Sequence, residues 1–298
     1  MNKNQKLPLA IVADILGTSK KVVNSWSENK LKPIIDKKTG KKFFHLDELR
    51  SLPSASFLFD TKWDEEERIK PLRNYKIIEL FAGAGGLALG LEKAGFESLL
   101  LNEIDKDACE TLKKNRANWN VKNCDIKEYD FTKFKGKVDL LTGGFPCQAF
   151  SYAGKKLGFN DTRGSLFYEF ARAIKETNPK VILAENVKGL VSHDSGKTLE
   201  TIRDIIDEIG YELVEPKVLK AIFYKVPQKR ERIFLVAIRK DLSRFVSFNY
   251  PAKFPKIFTL KDALKKGDLF NKDVPKTEGQ IYPQRKKEIL SKVPQGGY

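Results

Sequence analysis

The fold that this sequence predicts is α/β: an open, doubly wound, mostly parallel seven-stranded sheet of the Rossmann-like kind, preceded by a small winged helix-turn-helix. Three observations predict it. From Tyr75 onward, short apolar runs rich in Ile, Leu and Val alternate strictly with amphipathic stretches of helical period. Glycine-rich segments follow two of those runs, at the strand ends where such sheets bind ligands. Ahead of them, residues 1–52 carry 11 basic against 5 acidic residues and two short helical patterns split by a Gly-Thr-Ser turn.

The 298 residues suit about two domains. With 41% apolar and 32% charged residues the chain is globular rather than disordered. Its 55 basic and 39 acidic residues leave a net charge of +16, which favours a polyanionic partner. No run approaches the roughly 18 apolar residues of a membrane span, and the N-terminus lacks a cleavable leader pattern, so a cytosolic (cytoplasmic) protein with no membrane role is expected. The three cysteines, Cys109, Cys124 and Cys147, form neither a disulfide framework nor a zinc pattern, and no metal is expected.

In chain order, PLAIVADILG is an amphipathic helix, Gly17-Thr18-Ser19 a turn with a capping hydroxyl, and KKVVNSWSEN a second helix whose Lys20, Lys21, Asn24 and Ser25 would face a DNA groove. KPIIDKKTGKKFFHLDELRSL reads as a two-strand wing turning at Thr39-Gly40 and then a helix capped near His45 to Asp47, so that residues 1–52 form one module. Residues 53–73, of mixed charge with prolines at both ends, read as a linker with a helical part. Residues 74–241 supply the sheet: the strands YKIIELF, SLLLNEI, VDLLTGG and KVILAENV alternate with helices, and after Gly210 two further strands pair antiparallel at one edge. Residues 242–298 remain, and 239–298 hold 14 basic and 6 acidic residues.

The candidate chemistry lies at the strand ends. The first strand runs through Phe81-Ala82-Gly83-Ala84-Gly85-Gly86 straight into a helix, where glycines permit a tight turn and close approach of a ligand to a helix N-terminus. The second strand ends in Glu103, 18 residues after Gly85, where a carboxylate can accept both hydroxyls of a ribose. Asp125 follows a third strand, within reach of an adenine-like ring, and together these point to a nucleoside cofactor. Cys109 and Cys124 read as small buried hydrophobes. Cys147 follows a strand end and a proline and opens a polar loop, a setting that suits a thiolate nucleophile. Glu185 stands at the next strand end, and Arg230 and Arg232 precede the last strand.

Residues 75–241 resemble the cytosine-5 DNA methyltransferase family. The resemblance rests on the ordered segments IELFAGAGGLALGLEKAGF, NEID, CDI, GGFPCQAFSYAGKKLGFNDTRGSLF, ENVKGL and QKRERIFLVAIR. It implies methyl transfer from S-adenosylmethionine to carbon 5 of cytosine in double-stranded DNA, in a restriction system. It implies Cys147 as the nucleophile at carbon 6 of a flipped-out base, Glu185 at N3, and Arg232 with Arg230 at the O2 edge. For the cofactor it implies Phe81, Gly83, Gly85, Gly86 and Leu87 around the methionine and ribose, Glu103 on the ribose hydroxyls, Ile104 against adenine, Asp125 on its amino group with Ile126 beside it, and Pro146 near the sulfonium. The 148–163 loop, with Gln148, Ser151, Lys155, Lys156 and Arg163, would close over DNA.

The family continues past its QKRER strand into a target-recognition domain and two further motifs, which are not found in residues 242–298. On that pattern 242–298 begins an incomplete recognition region, and the rest is expected from a second polypeptide, or the chain is a truncated or interrupted product. Two other readings compete: a DNA-binding autoregulator acting through the N-terminal helix-turn-helix with an inactive methyltransferase core, and methylation of tRNA in place of DNA. A thiol redox enzyme at Cys147 leaves Glu103, Asp125 and QKRER unexplained.

Overall fold

A computed structural model describes residues 5–146, 166–274 and 283–291. The chain divides into two units, Met1–Ile257 and Phe258–Tyr298.

The first unit begins with β1 (Lys6–Pro8), α1 (Leu9–Leu16), α2 (Lys20–Asn29), β2 (Ile34–Ile35) and β3 (Lys42–His45). Gly17 ends α1 in the left-handed conformation, and the Ser19 hydroxyl accepts from the Val22 N–H at 3.3 Å, the cap that the Gly-Thr-Ser turn predicts. The sheet of this segment has three strands rather than the expected two, because β1 adds antiparallel to β3 in the order β1-β3-β2. The helix expected from His45 to Asp47 is a 3-10 turn, Leu46–Ser51, with no side-chain cap from His45.

The expected linker is folded. Residues Pro53–Leu58 form a second 3-10 turn, and Leu52, Ala55 and Leu58 are buried in one cluster with Leu7, Val12, Phe44, Ile222 and Phe223. Helix α3 (Trp63–Glu67) then lays Trp63 against Phe254 and Tyr224. The reason is apolar content: within its polar surroundings, SLPSASFLF places Leu52, Ala55 and Leu58 at a three-residue period, which a 3-10 turn puts on one face. The module is therefore not set apart from the sheet by a free connection.

The central sheet contains β4 (Tyr75–Leu80), β5 (Phe96–Glu103), β6 (Val121–Asn123), β7 (Leu140–Gly143), β8 (Val181–Val187), β9 (Tyr211–Leu213), β10 (Lys217–Lys220) and β11 (Glu231–Arg239). Helices α4 (Gly86–Lys93), α5 (Lys106–Asn115), α6 (Leu166–Thr177) and α7 (Lys197–Glu208) alternate with the strands, and α8 (Lys240–Ser243) follows the last. The order is β10-β11-β8-β7-β4-β5-β6, parallel from β8 to β6, with β11 antiparallel to β8 and both β9 and β10 antiparallel to β11. The antiparallel edge is as the sequence predicts. The strand count is eight, not seven, because the edge strand breaks between Leu213 and Lys217 and resumes along β11 with its register moved by one residue.

Apolar faces of the sheet and of α6 and α7 form the main core around Ile78, Leu141, Phe167, Phe170, Ile202 and Tyr211. Asp139, just before β7, ties this core to its N-terminal edge. Burial works against its charge, but hydrogen bonds from Arg73, from Lys180 at 2.8 Å and from the Lys76 N–H at 2.9 Å outweigh it and hold the carboxyl far below the usual range. In the second unit, Thr259 and Asp262 form a capping box on α9 (Leu260–Leu264), and α10 spans Gln284–Ser291. Among the described residues no helix is long and apolar enough to cross a membrane, and no group of His, Cys, Asp and Glu could hold a metal ion.

Candidate active site

The strands β4, β5, β7 and β8 end on one edge of the sheet, and the residues just past each end build the site. After β4 the chain turns sharply: Phe81, Gly83 and Gly85 all have positive φ, and α4 begins at Gly86. A left-handed phenylalanine is strained, and the neighbouring glycines let the turn close around it. At Gly85 (φ +87°) a Cβ would lie 2.6 Å from Leu112 Cδ2 and 3.2 Å from the Trp119 ring, so the turn packs directly on α5 and its following loop. Gly85→Ala is accordingly expected to cost about 2–3 kcal/mol and to abolish cofactor binding, measured by urea unfolding and calorimetric titration with S-adenosylmethionine.

Glu103 closes β5 against this turn. Its Oε2 accepts from the Gly83 N–H at 2.7 Å, and its Oε1 from the N–H groups of Ile104 and Asp105, both at 2.9 Å. The main chain fixes the carboxylate from one side: Oε1 accepts two N–H groups, and Oε2, which accepts one, keeps a lone pair for a hydroxyl donor. Ile104 beside it is 67% exposed, an uncovered apolar surface suited to a flat ring. Asp125, two residues past β6, receives the Lys127 N–H on Oδ1 at 2.9 Å and caps the turn Ile126–Glu128. These residues fit an adenosine-bearing cofactor. Ile126 departs from expectation: at 3% exposure its side chain belongs to the main core, because the turn directs it inward under Asp125, and it forms no wall of the site.

The second half of the site is an acid held by arginines. Arg232 Nε lies 2.8 Å from Glu185 Oε1 and Arg230 Nη2 3.6 Å from the same oxygen. Both cations engage Oε1, while Oε2 faces Gly144, where a Cβ would stand 3.1 Å from it. The antiparallel pairing of β11 with β8, with Arg232 opposite Val187 and Phe234 opposite Glu185, brings the two sequence-distant segments together. A cleft of about 630 Å³ joins the glycine turn to the clasped acid: Phe81, Gly86 and Leu87 line it together with Glu185, Arg230 and Arg232. Pro146, three residues past β7, is exposed. Cys147, Gln148, Ser151, Lys155, Lys156 and Arg163 lie outside the described residues.

Three residues of this site were not singled out by the sequence. Asn186 is buried, donates from Nδ2 to the Phe145 carbonyl at 2.8 Å and accepts the Val187 N–H, which fixes the chain just before Pro146. Gly144 leaves the space beside Glu185. Glu79, 2% exposed, lines the cleft with an Oε2 that has no hydrogen-bond partner among the described residues, and burial pushes its carboxyl up to about 8. The signal for Glu79 was present, a single charge inside the apolar strand YKIIELF. Cys109 is buried and Cys124 half-buried, and burial raises both thiols, in keeping with structural roles.

Cradle and clasped acid open into one cleft at the carboxyl edge of the sheet, the layout of a group-transfer enzyme on a Rossmann-like fold. Residues 75–297 match the family described as C-5 cytosine-specific DNA methylase, and the chain belongs to that family, whose members use S-adenosylmethionine. It is 58% identical over 295 residues to the type II methyltransferase M.Eco47II of Escherichia coli, covering 99% of this chain and 70% of that protein. It is 55% identical to the type II methyltransferase M.PspPI of Psychrobacter, covering 97% and 70%. Among solved structures it is similar to a DNMT2 variant of Spodoptera frugiperda, with a TM-score of 0.51 and 25% identity over 65% of this chain and 60% of that one.

Proposed function

We propose that this chain methylates carbon 5 of cytosine in double-stranded DNA as the modification enzyme of a type II restriction system. The observation that carries this reading is the Arg232–Glu185 clasp at 2.8 Å inside the cleft that also contains the glycine turn. The cofactor, when bound, supplies a methyl group activated by a positively charged sulfur. Phe81, Gly83, Gly85, Gly86 and Leu87 would seat it, Glu103 would take the ribose hydroxyls, Ile104 the ring face and Asp125 the ring amino group.

Carbon 5 of cytosine is a weak nucleophile, so the ring is first activated. The Cys147 thiolate forms a bond to carbon 6 and drives an electron pair toward N3, where the Glu185 carboxyl shares a proton. Arg232 and Arg230 fix Oε1, which leaves Oε2 to the base. Carbon 5 takes the methyl group, its proton passes to solvent water, and the electron pair of that C–H bond re-forms the carbon 5–carbon 6 double bond as the bond to Cys147 breaks and the thiolate leaves, so that aromaticity returns. The target base must leave the duplex to reach this cleft. Exposed Lys20 and Lys21 on α2, in a module of net charge +6, would add phosphate contacts, while Asn24 is engaged by Lys42 Nζ at 3.1 Å.

The test is transfer of labelled methyl from S-adenosylmethionine to mixed-sequence duplex DNA by this chain, alone and with the product of the adjacent reading frame. Cys147→Ala is expected to remove all incorporation. Glu103→Ala is expected to weaken cofactor binding at least tenfold, read by calorimetric titration. Incorporation that survives in Cys147→Ala would overturn the mechanism, and incorporation into tRNA in place of DNA would overturn the substrate.

A further inference from the structure

The N-terminal module meets the catalytic sheet at the connection that presents the two arginines. Residues 221–230 leave β10, make a 3-10 turn at Ala221–Phe223 and return as β11. Ile222 and Phe223 are buried, and their core is not that of the sheet: they pack with Leu7, Val12, Phe44 and Leu58, and Phe223 meets Phe57 edge-on at 5.5 Å. One end of the connection is thus anchored in the module.

Helix α1 clasps the other end. The Asp14 carboxylate lies 2.6 Å from Lys229 Nζ, and the Asp14 carbonyl accepts from Lys220 Nζ at 2.8 Å. Lys220 also faces Glu231 Oε1 at 3.4 Å, and Glu231 Oε2 accepts from Lys188 at 3.1 Å. An extended chain sends successive side chains to opposite sides. Lys229 and Glu231 therefore take the side of Asp14, Lys220 and Lys188, and Arg230 and Arg232 take the side of Glu185. The two sets of ion pairs hold the same four residues in one phase.

We propose that Asp14 is a positioning residue for the reaction: by holding Lys229 and Lys220 it keeps Arg230 and Arg232 turned toward Glu185. The proposal rests on the reading of Glu185 as the group that meets the base. It makes the module a brace for the cleft wall, with a readable consequence. Both partners of the Asp14–Lys229 pair are about half exposed, so the pair contributes little to global stability and its removal leaves the fold intact.

The experiment compares the full chain with Asp14→Lys, Lys229→Asp and the double exchange, by amide hydrogen exchange and by methyl-transfer kinetics. Each single variant places like charges together, and exchange over residues 229–232 is expected to quicken about fivefold with an unchanged thermal midpoint. In the same variants kcat should fall about fivefold while KM for S-adenosylmethionine stays constant. The double variant restores the ion pair in reverse and should return both readings to within about twofold of the original chain. Exchange unchanged in the single variants, a double variant no better than either single one, or quickening spread across the sheet would overturn the proposal. A chain that transfers no methyl group fails the proposed function instead, and the exchange comparison then decides the positioning role.

Discussion

Replacing Glu185 by glutamine is expected to lower methyl transfer by about 10²–10⁴-fold while leaving S-adenosylmethionine binding within a factor of about two. The amide keeps the size of the side chain but cannot give up a proton to N3, and it no longer neutralises Arg232 at 2.8 Å and Arg230 at 3.6 Å. Cofactor affinity should survive because the glycine turn and Glu103 lie after β4 and β5, two and three strands away from β8 in the sheet order β8-β7-β4-β5. Single-turnover transfer with saturating DNA separates the two effects. A loss of affinity equal to the loss of rate would show that Glu185 serves cofactor binding and not the base.

Glu79→Gln is expected to stabilise the protein at pH 8 by on the order of 4 kcal/mol and to leave it almost unchanged at pH 4.5. Burial raises the Glu79 carboxyl from an ordinary 4.5 to about 8. Between those values the unfolded chain releases this proton while the folded chain retains it, so stability falls as pH rises through that window and levels off above it. Glutamine mimics the neutral acid in shape and has no proton to lose, so the slope disappears. Urea unfolding at pH 5, 6.5 and 8 checks this. Equal slopes for the two proteins would mean that the carboxyl ionises freely in the folded cleft. Asp139, held far below the usual range, titrates on the acid side of this window and does not interfere.

The site was legible to different depths for physical reasons. Glu103 and the glycine turn were readable because each sits at a strand end, where side-chain type and position relative to the strand are local properties. Ile126 was misplaced because one residue of turn geometry decides whether a side chain faces the ligand edge or the core, and spacing does not carry that. Asn186 and Gly144 had no visible role because their work is done on Phe145 and Glu185, partners fixed only when β7 and β8 lie side by side. The burial of the 53–73 segment was not legible because proline and mixed charge weigh equally in exposed chain and in a 3-10 turn, and Leu58 shares its cluster with Ile222 and Phe223, more than 160 positions away.

By itself, the sequence determined the alternation of strand and helix from Tyr75 onward, the antiparallel edge and the capping hydroxyl of the Gly-Thr-Ser turn, because hydrophobic period and capping are encoded within a few neighbouring positions. Only the tertiary structure decided that Arg230 and Arg232 share one oxygen of Glu185, that Glu79 is buried with an Oε2 unpaired among the described residues, and that the N-terminal module shares its core with the cleft wall. Those are pairings between distant segments, and their energies depend on burial and distance, which exist only once the sheet has assembled.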